Sequence, residues 1–314
     1  MTHKRIAFMA GLLLVAQTAS ARDLAYQTTV TSRSAAGVPA EGSPILNRLP
    51  GLGRAFVFEA ALDHVLELPA VRAFGGDYNL MQNDTVSLAK SPTWSLEVRG
   101  DGDWIRFRHS TYHTSSRNTP RALSAAMSDE EVESVAKRIV PRDLAPLVTL
   151  GKGEALQPWS VAHLISVIGD VNTGNFKKAI HVTRITLTRV INGVPVLGAG
   201  SKIAVEVAND GTLVGFDIDW SQLTPGTDTT SLLDVATIKQ RAQQLVPSSS
   251  SSPREVEFKC GYYDTGAGFG RSAQVQPACT IAYESLSKHF QFAVPAGSKV
   301  IKDATWTESA TFGK

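Results

Sequence analysis

The dipeptide Asn192-Gly193 constrains this chain more than any other feature. It separates two β-rich runs, Ile180 to Ile191 and the segment that opens at Val194. A two-residue turn between paired strands needs positive φ at both positions, and Asn and Gly accept that with least strain. A tight hairpin is therefore predicted here. Pro195 suits the start of an edge strand, because proline has no N–H to give to a ladder. Ile203, Val205 and Val207 then alternate, Asn209-Asp210-Gly211 turns the chain, and Val214, Phe216 and Ile218 alternate on the return. Residues 179–220 read as an antiparallel meander.

Helices are predicted around it. Ser128 with Glu131 forms a capping box, Val132, Val135, Ala136 and Ile139 make an apolar stripe, and Pro141 ends the run. The order then repeats in part. Ser231 with Asp234 caps a helix striped by Val235, Ile238, Ala242 and Leu245, and Pro247 closes it. A strand follows with Val256, Phe258, Cys260 and Tyr262 on one face, then strands through Ile281–Tyr283 and Phe290–Val294. Helix followed by antiparallel strands occurs twice, which predicts an α+β architecture with a sheet packed on each helix.

Nearer the N-terminus, Phe58, Ala61, Leu62, Val65 and Leu66 stripe a helix over Ala55–Leu68, stopped by Pro69. Thr93 to Val98 and Trp104 to Arg108 read as strands joined by Gly100-Asp101-Gly102-Asp103, with Ile105 and Phe107 alternating against Trp104, Arg106 and Arg108. Residues 113–127 are polar and linker-like, and Trp159 to Ile168 reads as a strand.

Residues 1–21 read as a secretory signal peptide, with a basic head at His3, Lys4 and Arg5, an apolar core from Ile6 to Ala16, and Ala19-Ser20-Ala21 as the cleavage site. The apolar run is too short for a membrane span, and no second run approaches that length. Lys and Arg number 31 against 29 acids. The leader holds two of those bases and no acid, so the remainder is formally neutral, and a basic excess that would announce a nucleic-acid partner is absent. Residues 22–53, rich in Ala, Gly, Ser, Pro and Thr, read as a flexible lead-in. Cys260 and Cys279 are the only cysteines. Export makes a single disulfide the expected state, and a loop of about 20 residues gives it roughly 3 kcal/mol.

The stretch 182–216, which runs VTRITLTRVINGVPVLGAGSKIAVEVANDGTLVGF, resembles the PepSY and fungalysin/thermolysin-propeptide modules. Asn192, Gly193, Pro195, Val196, Gly198, Asp210 and Gly211 match that pattern position by position, and the helix at 128–140 precedes the meander as a helix precedes the sheet in such modules. The resemblance implies a cystatin-like helix packed on an antiparallel sheet, in exported modules that bind or restrain peptidases. Residues 121–226 would form one such unit and 227–314 a second, weaker one, after an N-terminal α+β region at 54–120. One departure bears on function. Peptidases that carry such propeptides have H-E-x-x-H, and this chain has no such motif.

Other chemistry is thinly represented. His109 and His113 have the spacing of a metal pair, but Ser110 stands where a metallopeptidase needs Glu, and they read as surface histidines. Ser285-Leu286-Ser287-Lys288 matches S-x-x-K only formally, inside an expected β-turn, and no G-x-S-x-G elbow exists. Gly266-Ala267-Gly268-Phe269-Gly270 reads as a hairpin tip. Asp217 and Asp219, two apart before Trp220, are candidates for the paired carboxylates of glycosidase chemistry, and they equally suit the open face of a sheet as solvated acids. Trp94, Trp104 and Trp159 read as packing residues. The expectation is an exported, non-catalytic module with a protein partner, a peptidase being the class implied, and no cofactor. Two alternatives stay open: an exported enzyme using His109 and His113 with a metal or Asp217 and Asp219 as acids, and an envelope structural protein.

Overall fold

The computed structural model describes residues 25–29, 39, 42–75, 77–114, 121–122, 127–170, 175–246, 254–267, 272–285, 288–298 and 306–308. The leader, the serine run 248–252 and Pro247 lie outside them. In chain order the elements are β1 (Ala25–Thr29), β2 (Pro44–Arg48), α1 (Arg54–Glu67), α2 (Pro69–Arg72), β3 (Asn79–Gln82), β4 (Val86–Lys90), β5 (Trp94–Arg99), β6 (Trp104–His109), α3 (Ser110–Thr114) and β7 (Arg121–Ala122). Then come α4 (Asp129–Ile139), a π-helical turn Val140–Leu144, β8 (Glu154–Asp170), β9 (Asn175–Ile191), β10 (Val194–Leu197), β11 (Lys202–Ala208), β12 (Leu213–Asp219) and β13 (Leu223–Thr229). The last are α5 (Val235–Leu245), β14 (Arg254–Tyr263), β15 (Gln274–Ser285), β16 (Lys288–Pro295) and β17 (Trp306–Glu308).

Strand pairing corrects the expected fold class. The chain is not a pair of cystatin-like helix-on-sheet units; it is dominated by a large mixed sheet with few helices. Antiparallel pairings run in the order β3-β4-β5-β6-β12-β11-β9-β8-β1. The decisive contact is β6 on β12, with Phe107 opposite Phe216, which merges the N-terminal strands with the meander. β8 and β9, at 17 residues each, are also far longer than a small curled sheet uses. Beyond the hairpin turn, β10 pairs in parallel with β14, so β14, β15, β16 and β17 join the same network.

Local readings fare better. Asn192 (φ 50) and Gly193 (φ 82) both occupy the left-handed region between β9 and β10. Asp210 Oδ1 accepts from Thr212 N at 2.9 Å, with Gly211 at φ 87, in the turn between β11 and β12. At α4, Ser128 N donates to Glu131 Oε2 at 2.8 Å and Glu131 N to Ser128 Oγ at 3.3 Å, a reciprocal capping box. Pro69 stops α1 as expected, with Leu68 extended before it, and then opens α2 at the position where a missing N–H is harmless, whereas Pro141 lies inside the π-helical turn. At α5 the N-cap is Asp234 itself, accepting from Thr237 N at 2.9 Å.

Period-two alternation sorts the sheet into two faces. On the inner face Leu96, Phe107, Phe216, Val205 and Ile185 stand in one cross-strand row, all buried. Val98, Ile105, Ile218, Ile203 and Leu187 form the next row. α1 closes this core through Phe58, Ala61, Leu62 and Val65, and α4 through Val132, Val135 and Ile139. Each fully buried large side chain contributes about 1.5–3 kcal/mol of transfer free energy. A smaller core lies under α5, where Ile238 and Ala242 meet Ile281, Phe292 and Val294.

Candidate functional site: the open face of the large sheet

The face opposite the helices carries charge. Alternation from the buried rows places Glu97, Arg106, Asp217, Ala204 and Thr186 in one row, and Ser95, Arg108, Gly215, Glu206 and Arg184 in the next. Asp217 accepts from Arg106 Nε at 2.7 Å, Arg108 Nη2 at 2.8 Å and Arg184 Nη2 at 2.6 Å. Glu206 accepts from Arg184 Nη1 at 2.8 Å, with Arg108 Nη2 at 3.3 Å. Room for Glu206 comes from Gly215 across the ladder, where a Cβ would stand 2.6 Å from Glu206 Oε2.

The electrostatics follow from depth. Burial would raise the pKa of Asp217, but the charges of Arg108 and Arg184 outweigh it and bring the carboxyl down to about 2. Burial would likewise lower that of Arg184, and Asp217 and Glu206 outweigh it and raise it. The acids sit beneath the bases: Glu206 is 0% and Asp217 13% exposed, against 44% for Arg106 and 56% for Arg99. The indole of Trp104 lies beside those two outer arginines, with guanidinium carbons 5.0 Å (Arg99) and 4.7 Å (Arg106) from its ring centre. Solvent therefore meets guanidinium, with a half-buried indole beside it, over a buried anionic lining, a surface suited to binding.

This geometry speaks to the paired carboxylates. A carboxyl held ionised by three guanidiniums cannot donate a proton near neutral pH, so Asp217 is unsuited to the acid role in glycosidase chemistry. Asp219 is occupied elsewhere, accepting from Ala267 N at 2.8 Å at the start of the Gly-rich tip. Residues 268–270 of that tip lie outside the described residues.

His109 is not at the surface. It is fully buried at the end of β6, with its ring 4.8 Å from Phe74 and 5.1 Å from Tyr112. His113 falls in α3, and its side chain lies outside the described residues. Among the described residues no group of three His, Cys, Asp or Glu is placed to hold a metal ion. Ser285 pairs with Lys288 across the turn from β15 to β16, while Leu286 and Ser287 lie outside the described residues. Cys260 and Cys279 face each other on β14 and β15, with Cα atoms 4.0 Å apart, and are joined by a disulfide. Trp94 is buried as expected, and Trp159 packs half-buried against Leu197, Tyr263, Ala278 and Ala293, its ring centre 5.0 Å from Lys202 Nζ and 5.1 Å from Lys259 Nζ.

Clefts flank the sheet. One of about 370 Å³ is lined by Leu52, Phe56, Val57, Asp101 and Trp220 over Arg48, whose guanidinium is fixed by Ser221, Ser272 and Asp264. Another, about 530 Å³, is apolar, between Val140, Pro141 and Leu150 on one side and Leu156, Pro158 and Leu187 on the other. Neither lining includes a histidine or cysteine. Among the described residues no helix is long and apolar enough to cross a membrane.

The residues that sequence reading missed are Arg184, Glu206 and Gly215. Their signal was present: each falls on the parity opposite the buried Ile185, Val205 and Phe216. What linear alternation lacks is the neighbour strand, and only β6 against β12 brings Arg106 and Arg108 to Asp217.

No model of a known protein family matches the chain, and no curated relative matches it. Among solved structures it is similar to an uncharacterized protein from Eubacterium rectale, at 10% identity and TM-score 0.48, over 86% of this chain and 81% of that one. It is also similar to the Bacillus megaterium YpeB C-terminal domain, at 8% identity and TM-score 0.35, over 80% of this chain and 95% of that one. Likenesses this distant carry no argument about activity, so the chain's own geometry must supply it.

Proposed function

We propose that this chain is an exported, non-catalytic binding module of PepSY-like character that docks its large sheet against a protein partner, a peptidase being the class the propeptide resemblance suggests. The observation that carries the reading is the open face itself, where Arg99 and Arg106 are exposed beside half-buried Trp104, over acids already locked into ion pairs. Such a face is pre-organised, so little side-chain ordering remains to be done on docking. Arginine and tryptophan are also the side chains most often responsible for affinity at protein interfaces. The signal-peptide pattern and the Cys260–Cys279 disulfide support an extracytoplasmic setting. Asp217 and His109, on which the enzyme alternative rests, have neither the protonation state nor the access that it requires.

The test is capture from the exported fraction of the native culture by the mature chain, in parallel with a variant carrying Arg99→Ala and Arg106→Ala. The reading expects a partner retained by the native chain, lost with rising salt and lost in the variant. Recovery of no partner, or equal recovery by both proteins, contradicts it.

A further inference from the structure

The open face ends at β3, whose one pairing among the described residues is with β4. Exposed edges are usually guarded by charge, proline or irregularity. β13, which pairs with β2, shows such guarding in Pro225, Gly226 and Asp228. β3 has none: it reads Asn-Leu-Met-Gln, with Leu80 and Met81 58% and 57% exposed. Resting on the protein-binding reading above, we propose that β3 is the docking edge and that it accepts an extended segment of the partner, apolar at its centre and cationic at both ends, as an added antiparallel strand.

Backbone phase, side chains and charge converge on that occupant. Asn83 N donates to Val86 O at 3.0 Å, so hydrogen-bonded pairs alternate from there to Met81–Leu88 and Asn79–Lys90. The N–H and C=O groups of Leu80 and Gln82 therefore face away from β4, towards the open edge. Met81 continues the open-face row Leu88, Glu97, Arg106, while Leu80 continues the inner row Ala89, Leu96, Phe107. An incoming apolar residue opposite Leu80 thus lengthens the apolar row. Asp77 precedes β3 and Asp84 opens the turn after it, both exposed, and neither carboxylate is ion-paired among the described residues. The nearest cations are otherwise engaged or set back: Arg54 donates to the carbonyls of Asp84 at 2.6 Å and Asn83 at 2.7 Å, and Lys90 stands one strand inward. A second copy of this chain is a poor occupant, since self-pairing through the outward groups sets Leu80 of each copy opposite Gln82 of the other and places each Asp84 within one position of the other copy's Asp77.

The probe is a synthetic peptide matched in length to Asp77–Asp84, with lysines at its ends and two valines at its centre, titrated into the folded chain and followed by amide NMR. Expected are shifts and exchange protection at Leu80 and Gln82, and binding about three- to tenfold weaker when the end lysines become glutamates. Gln82→Pro removes an outward donor while leaving the β4 ladder whole, so it should abolish binding with the fold retained. Leu80→Asp, at an exposed site, should do the same by opposing the apolar centre. Binding by both variants equal to that of the native chain, binding without protection of Leu80 and Gln82, or dimerisation through β3 overturns the proposal. The two readings separate cleanly. A natural partner captured equally by native chain and Gln82→Pro, with no peptide binding, removes the edge and spares the protein-binding function, whereas failure of the native chain to bind either partner or peptide removes both.

Discussion

Replacing Asp217 by Asn asks whether the open face is held together by its lower layer of acids. Three guanidiniums lie 2.6–2.8 Å from this carboxylate. Burial works against ionisation there, and Arg108 and Arg184 reverse it, taking the pKa from 3.8 to about 2. At about 1.36 kcal/mol per unit, the ionised group stabilises the fold by roughly 2.5 kcal/mol. Solvent screening discounts this little, because the side chain is 13% exposed. Asn preserves shape and removes the charge, leaving Arg106 without its ion pair and Arg108 and Arg184 facing Glu206 alone. Removing one partner of a buried pair typically costs about 3–5 kcal/mol, so a loss of roughly 2–4 kcal/mol is expected at neutral pH. The pKa is depressed in the folded state, so this stability is fully present above 3.8 and is lost as pH falls through about 2. Urea unfolding, followed by tryptophan fluorescence for native and variant chains in parallel, reads the difference. It should shrink towards zero between about pH 4 and pH 2. A loss below about 0.5 kcal/mol at neutral pH, or one that does not change with pH, refutes the account of this face.

Gly215→Ala presses a methyl group to 2.6 Å from Glu206 Oε2 and 3.1 Å from Phe107 O. It should cost about 1–3 kcal/mol in thermal unfolding, and a neutral outcome would mean that the carboxylate is not packed there. Phe58→Ala empties a fully buried site under α1 and should cost about 3–5 kcal/mol by urea titration. Replacing both Cys260 and Cys279 by Ser removes a closed loop with a sequence separation of 19, and should lower stability by about 3 kcal/mol, matched by reduction of the native chain. Exhaustive chelation should leave the melting temperature unmoved, because His109 is enclosed by aromatic rings; a fall on chelation would restore the metal alternative.

Turn and cap chemistry was the most legible layer of this sequence because it is local. Asn192-Gly193 and Ser128 with Glu131 each specify backbone geometry within a few residues, and both form as read. Alternation was legible too, dividing Ile105 and Phe107 from Arg106 and Arg108 before any neighbour was known. The identity of the neighbour was not legible. A strand with one apolar and one charged face fits either a small curled sheet or the middle of a wide one, and β6 chooses the latter by pairing with β12. The charged site inherits the same limit. Asp217 stood out for lying near Asp219, yet its partners come from β6 and β9, 111 and 33 residues away in sequence.

Buried charge elsewhere gathers where the two parts of the sheet network join, and this bears on how the open face is presented. The four residues of β10 pair antiparallel with β9 and parallel with β14, so one short strand serves both parts. At that seam buried Asp264 accepts from Arg48 Nη2 at 2.8 Å, Ser201 Oγ at 2.8 Å and Gly266 N at 3.0 Å. Burial would raise its pKa, but Arg48 holds it below the ordinary carboxylate value. The seam closes only around glycine: a Cβ at Gly198 would stand 2.3 Å from Asp264 O, and one at Gly200 2.2 Å from Asp264 Oδ1. Nearby, Arg189 bonds Glu154 and the Ser221 carbonyl and lies 4.4 Å from the Trp220 ring centre. Sliding the parts past one another would strand charges that have no water to turn to, at several kcal/mol each. The seam therefore resists shear. A sheet locked at its junction and lined by satisfied ion pairs presents Trp104, the outer arginines and β3 in fixed relation. That rigidity favours recognition of a preformed surface over closure around a substrate.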